Sequence, residues 1–369
     1  MRILFLMVTL SLLSACIVET PKNKATKSKP SQARISGHIE NYSTSDSITS
    51  LEFYWLDLVD GYVREKTEID SLGNFDIAFD LTRQIELSFY YKKFLKLIVK
   101  GGDKLTISFD GNNTVPAQYY RSASVNGTGS EVNRKLFKYL AGRHFDKRFF
   151  YQKTRSMRPK EFKNFNDSIT RENRTYIDNF IDENDVSGIL EDWLSVERNV
   201  VPLEQKMAYR FNYLMALKTK KEKDEFSKSF FASPLGVPKI HEGMLVHSNL
   251  IGSFTNMYSY YMLDKVSLNH NITRKDTLCH LLFNHLINYN SENPLLAQLA
   301  INEQLSASFE NNDFKIYTDN QEMLDPLFAE SAFAPYHEKI IEEIKQRLSN
   351  PVLPEKTQLL TFDTSDTSK

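Results

Sequence analysis

From Arg34 to Asn126 the chain alternates apolar and polar residues with a period of two. A strand sends successive side chains to opposite faces, so this alternation predicts strands with one buried face. "RISGHIEN" alternates Ile35, Gly37 and Ile39, and "SITSLEFYWLDL" carries Ile48, Leu51, Phe53 and Trp55. "GYVREKTEIDSLGNFDIAFDL" is strand, turn, strand, with Leu72-Gly73-Asn74 at the turn and Phe75, Ile77 and Phe79 on one face. "RQIELSFYY" follows. In "FLKLIVKGGDKLTISFDG", Leu95, Leu97 and Val99 point one way, Gly101-Gly102-Asp103 turns the chain, and Leu105, Ile107 and Phe109 point inward again. A further strand around Ser122–Asn126 closes the set. Short strands at roughly 8–12 residue spacing, with turn signals between them, predict an antiparallel β-sandwich over residues 34–127.

After this the period becomes helical. Ser130 is the expected N-cap of "EVNRKLFKYLAGR", with Val132, Leu136, Phe137 and Leu140 on one face. Pro159 fits the first turn of a second helix, whose stripe is Phe162, Phe165, Ile169, Tyr176 and Phe180. A third runs from about Ser187 to Lys218 and carries Leu190, Trp193, Leu194, Val201, Met207 and Leu214, with a kink expected at Pro202. "SNLIGSFTNMYSYYMLDKV", "KDTLCHLLFNHLINYN", "ENPLLAQLAINEQLSASFE" and "APYHEKIIEEIKQRLSN" supply more. No repeat of about 34 residues is seen, so a packed array of antiparallel helices is expected over 128–350, rather than a solenoid. The fold class is α+β: an N-terminal antiparallel β-sandwich, then an all-helical domain, then a flexible tail over 351–369.

The first residues follow neither period. Arg2 precedes the apolar run "ILFLMVTLSLL", Ile3 to Leu13. That run is short of the about 20 apolar residues needed to span a bilayer. It fits a secretion signal of residues 1–15. Leu13-Ser14-Ala15-Cys16 resembles the bacterial lipobox, in which the cysteine sulfur accepts a diacylglyceryl group and becomes the new N-terminus. Lipidation at Cys16 is therefore expected, and several acyl chains anchor stably where one is marginal. Residue 17 is Ile rather than Asp, which by the lipoprotein sorting rule implies the outer membrane and a periplasm-facing chain. Residues 16–33, rich in Lys, Ser, Thr and Pro, are expected to be a disordered tether, since they bury too little apolar surface to offset ordering.

Composition narrows the function. Of 369 residues, about 335 remain for folded structure, enough for two domains by the usual size prior. Apolar content of 41% supplies real cores, and a net charge of −1 gives no reason to expect nucleic acid. With Cys16 lipidated, Cys279 stands alone and no C-x-x-C exists, so thioredoxin-type redox catalysis is not expected of this chain.

Candidate chemistry is sparse. Cys279 and His280 are adjacent on a helix and diverge by about 100°, and Cys279 lies among Leu278, Leu281, Leu282 and Leu286, so a core thiol is expected. His280 and His285 are five apart, not at ligand spacing, and HExxH is absent. His241 and His247 would share a face if "KIHEGMLVHSN" were a strand. "NGTG" at 126–129 lacks the Lys-Ser/Thr of a phosphate loop and is read as a turn before a helix. The run holding Tyr258, Tyr260, Tyr261, Met257 and Met262 is expected to be core. No catalytic, metal or cofactor residue is assigned.

Three groups of residues carry a further likeness: Ile35-x-Gly37-x-Ile39; Asp70-x-x-Gly73-x-Phe75; and Lys100-Gly101-Gly102-Asp103 running to Asp110. With Gly129-Ser130-x-x-Asn133 before a helix, they resemble the N-terminal region of lipid-anchored bacterial thiol-disulfide oxidoreductases of the thioredoxin family. The likeness covers about residues 34–145 and implies fold more than activity. In that family a Pro-containing linker leads on to the thioredoxin domain, and here "SNPVLPEK" stands at that place with the chain ending soon after. Two expectations follow. One is a non-catalytic, membrane-anchored lipoprotein binding a protein or peptide partner in the cell envelope. The other is the front part of a thiol-disulfide oxidoreductase whose thioredoxin domain is lost or separately encoded.

Overall fold

A computed structural model describes residues 30–349 except 58–60, 144–146, 233–234, 271–274, 290, 311–313 and 330–333. Cys16, the signal segment, most of the tether and the tail lie outside the described residues.

The strands are β1 (Ser31–Glu40), β2 (Ser50–Asp57), β3 (Gly61–Glu68), β4 (Asn74–Leu81), β5 (Ile85–Tyr91), β6 (Lys93–Val99), β7 (Lys104–Asp110) and β8 (Ser124–Thr128). They form two four-stranded sheets, ordered β4-β1-β7-β8 and β3-β2-β5-β6. Every pairing is antiparallel except β1 with β7, which run parallel. β1 begins at Ser31, inside the segment read as tether, because Ala33 is fully buried and pairs with Phe79. Phe53, Phe75, Phe79, Phe89 and Phe109 interlock between the sheets, with neighbouring rings 5.1–6.5 Å apart. Gly37 makes room for this cluster, since a Cβ there would overlap the Phe75 ring.

The helices are α1 (Pro116–Ser122), α2 (Ser130–Gly142), α3 (Lys147–Thr154), α4 (Pro159–Glu183), α5 (Ile189–Asn199), α6 (Val201–Ala216) and α7 (Lys220–Phe231). Then come α8 (Ser248–His270), α9 (Lys275–Tyr289), α10 (Pro294–Glu310), α11 (Lys315–Thr318), α12 (Gln321–Ala329) and α13 (Ala334–Ser349). Pro159 opens α4 as expected. Gly129, in the left-handed region at φ +86°, is the N-cap of α2, while Ser130 is the first helical residue. The long helix expected over 187–218 is two helices meeting at Val200, because Pro202 has no N–H to donate and so sits in the first turn of α6. The segment of His241 and His247 is not a strand: Glu242–Val246 form a short 3-10 helix.

The change of period at residue 128 does not divide the cores. One continuous core joins the sandwich to α2, to the end of α4 and to Trp193 and Leu194 of α5. A second core begins at Val196 and holds α6 and α8 to α12. The two meet along the outer face of the β3-β2-β5-β6 sheet.

Candidate functional site

Alternation on this sheet sends Phe53, Trp55, Leu87, Phe89, Leu95 and Leu97 into the sandwich, all buried. The intervening residues face outward: Tyr54 and Leu56 on β2, Glu86, Ser88 and Tyr90 on β5, Phe94, Lys96 and Ile98 on β6. The two ends of this outer face differ. At one end Glu86, Ser88 and Ile98 are buried beneath helices. At the other, Phe94 is 57% exposed and Tyr90 42%, while Tyr62, on the edge strand β3 opposite Leu56, is 65% exposed.

The covered end holds a chain of buried charge. Glu86, with no exposed surface, accepts hydrogen bonds from Lys96 Nζ at 2.8 Å, Trp193 Nε1 at 2.7 Å and Asn249 Nδ2 at 3.2 Å. The His247 ring stacks on Trp193 with centroids 4.3 Å apart. Its Nδ1 lies 3.0 Å from Glu86 Oε2, close enough for an ionic contact but outside hydrogen-bond alignment. Its Nε2 hydrogen-bonds Glu197 Oε1 at 3.2 Å. Glu197 Oε2 in turn lies 2.7 Å from Arg143 Nη2. The order is Lys96, Glu86, His247, Glu197, Arg143, so each carboxylate sits between positively charged or chargeable neighbours.

These neighbours decide the protonation states. Burial pushes the Glu86 carboxyl up, but His247 and Lys96, with hydrogen bonds from Lys96 and Trp193, outweigh it and hold the group at about 2. Burial likewise pushes Glu197 up, and Arg143, then His247, bring it to about 2. Both are ionised at neutral pH. Arg83 adds a staple to neutral acceptors, its guanidinium donating to Leu56 O at 3.0 Å and Leu245 O at 3.1 Å and tying β2 to the 3-10 helix.

The edge of β6 is closed by side chains. Asn133 Oδ1 accepts from Ile98 N–H and its Nδ2 donates to Ile98 C=O, both at 2.8 Å, as a neighbouring strand would. The Tyr120 hydroxyl accepts from Lys96 N–H at 3.1 Å.

The exposed end is aromatic. Tyr54 lies 6.2 Å from Tyr62 and 6.3 Å from Phe94, and Phe94 lies 5.1 Å from Tyr90, all between ring centroids. Four strands thus contribute to one ring-to-ring stripe. The Arg64 guanidinium sits 5.7 Å from the Tyr54 ring centre and pairs with Glu52, which also accepts from the Tyr54 hydroxyl.

The residues singled out in the sequence are mostly scattered. Cys279 is buried in the second core, while His280 is exposed, with Nδ1 2.7 Å from Asn320 Oδ1. His241 is half-exposed, 3.6 Å from Asp192, and does not share a site with His247. Tyr258, Tyr261 and Met262 are core, while Tyr260 is exposed. Asn126-Gly127-Thr128 belong to β8, not to a turn. Among the described residues no three His, Cys, Asp or Glu side chains could hold a metal ion. Asp103 is a described carboxyl that burial pushes up, yet it serves the turn before β7, accepting from Lys100 N–H at 3.0 Å. Sequence reasoning missed the Glu86–Glu197 chain and the aromatic stripe. The second left a signal: Tyr54 and Phe94 are large rings at outward positions of the alternation. The chain matches no family model, no curated protein and no solved structure.

Proposed function

We propose that this chain is a non-catalytic envelope protein, held by lipid on Cys16 at the outer membrane, whose sandwich presents an aromatic face to a protein partner in the periplasm. The observation that carries the reading is the stripe of Tyr62, Tyr54, Phe94 and Tyr90, with Tyr62 and Phe94 more than half exposed. Rigid rings on a sheet offer large contact area at small entropic cost, and aromatics are enriched where protein interfaces concentrate their energy. Arg64 and Glu52 beside them supply polar contacts for the rim. The carboxylates held near 2 are enclosed and engaged by Lys96, Trp193, His247 and Arg143, an arrangement that fixes helices to a sheet. No described helix is long and apolar enough to cross a membrane.

A photo-crosslinking residue placed in living cells at Tyr62 or Phe94 is expected to give one discrete adduct with another envelope protein. The same residue at Thr106, exposed on the other sheet, should give none. Equal adducts from both faces, or none from either, would reject the aromatic face as the docking surface. Labelling with an alkyne fatty acid, lost in Cys16→Ser, tests the anchor separately.

The second reading, the front part of a thiol-disulfide oxidoreductase, draws support from one observation. The residues that resemble that family are those that build this sandwich: Gly37 under Phe75, Asp70 accepting from Leu72 and Asn74 N–H, and Asn133 on the β6 edge.

A further inference from the structure

β8 is the open edge of the β4-β1-β7-β8 sheet, and α2 follows it after the turn at Gly129. Two contacts show that the helix returns antiparallel alongside the strand. Arg134 Nη1 donates to Val125 O at 3.3 Å, and Arg121 Nη2, from the end of α1, donates to Ala141 O at 3.3 Å. Between strand and helix lies a groove of about 540 Å³. Phe137 and Val125, both buried, contribute apolar surface to it.

Its charge is one-sided. Arg121, Arg134 and Lys138 line it, all exposed, and none of its lining residues is acidic. Their partners among the described residues are neutral oxygens: Ala141 O, Val125 O, Ser130 Oγ, and Asn184 Oδ1 at 2.6 Å from Lys138 Nζ. A carboxylate forms stronger, charge-assisted bonds with the same donors. The three cations do not converge on one point. Arg134 is rooted at position 134 of the helix and Arg121 bonds it at position 141, about 10 Å apart at 1.5 Å per residue, with Lys138 rooted between them. An extended chain covers that distance in about three residues. The Val125 carbonyl faces the groove, since Arg134 reaches it, and the antiparallel alternation puts the Val125 N–H on the same side.

We propose that this groove binds an extended acidic peptide segment, which adds as a strand to β8 and sets its carboxylates against Arg121, Arg134 and Lys138. The site is separate from the aromatic stripe and does not depend on it.

The test is fluorescence anisotropy with the full chain in mild detergent and a labelled peptide of about eight residues alternating Glu with Val or Thr, enough to pair along β8. Saturable binding is expected. It should weaken at least tenfold, a loss of about 1.4 kcal/mol, for a peptide with Lys in place of Glu, for one N-methylated at alternate amides, and for the R134E/K138E variant. R134Q/K138Q should fall between, and circular dichroism checks that both variants fold. No saturable binding would overturn the proposal. So would undiminished binding of the N-methylated peptide, which would mean charge adhesion without strand addition. Full displacement by inorganic phosphate at about the peptide's own concentration would mean a simple anion site. Phosphatidylglycerol vesicles bound through Arg134 and Lys138 while the peptide is ignored would mean a membrane-facing surface.

Discussion

The covered and exposed ends of the β3-β2-β5-β6 sheet are made from the same strands. Glu86 and Tyr90 lie four residues apart on β5 and face the same way, yet Glu86 has no exposed surface and Tyr90 is 42% exposed. The end that carries charge is buried, and the end that carries rings is open. Simple partition would have reversed this. At the covered end the cost of burying carboxylates is offset because each is paired and hydrogen-bonded, which gives one fixed geometry between sheet and helices. At the open end, rings left partly or largely exposed gain little for the isolated fold. The difference separates an interface already formed within the chain from the surface proposed for a partner.

The covered end is the easier to break. Glu86→Ala leaves Lys96, Trp193 and Asn249 without their shared acceptor and His247 without one of its two carboxylates. Removing one partner from a buried charge network costs about 3–5 kcal/mol. We expect a loss of that size in urea unfolding, read by Trp193 fluorescence because its indole N–H is the donor freed. A loss below about 1 kcal/mol, the scale of exposed pairs, would mean the chain of charge is incidental to the junction.

Acid acts on the same end without mutation. Glu86 and Glu197 ordinarily titrate near 4.5 and are held near 2 in the folded chain. Folded values below unfolded ones mean that their contribution to stability is fully present above about pH 5 and is lost as pH falls from 4.5 towards 2. The urea midpoint should therefore fall across that window, and Glu86→Gln should flatten the fall by removing one titrating group. An unchanged slope in Glu86→Gln would place the acid sensitivity elsewhere.

The contrast also explains what could be read from the sequence. Period-two alternation revealed the sandwich because inward residues of its inner strands, such as Phe53, Leu87 and Ile107, are apolar and buried. Gly73 and Asp70 marked their turn by chemistry, one with φ of +85°, the other accepting two backbone N–H groups. The outward faces were illegible. A Glu at an outward strand position looks the same whether water or a helix lies over it, and what covers Glu86 arrives from Trp193 and His247, 107 and 161 residues later. The parallel pairing of β1 with β7 was hidden for the same reason, since alternation fixes which face is buried and not which strand is the neighbour. The break at Val200 was one turn from legible, with Pro202 read as a kink inside a helix when it opens the next one.

The exposed end should respond to mutation in the opposite sense. Tyr62→Thr with Phe94→Thr keeps residues that favour strands while removing the two most exposed rings of the stripe. Tyr54 and Tyr90 lose ring neighbours worth about 0.5–1.5 kcal/mol per pair at most, and less where water already reaches them. Stability is expected to change by no more than about 1 kcal/mol, while adducts from a crosslinker at Tyr90 disappear. A double variant that unfolds would show that the stripe belongs to the fold. One that keeps both stability and adducts would show that the rings are idle and the partner sits elsewhere. Only unchanged stability with lost adducts marks the stripe as a surface kept for a partner, and that pairing of results is what distinguishes it from the buried charge at the other end of the same strands.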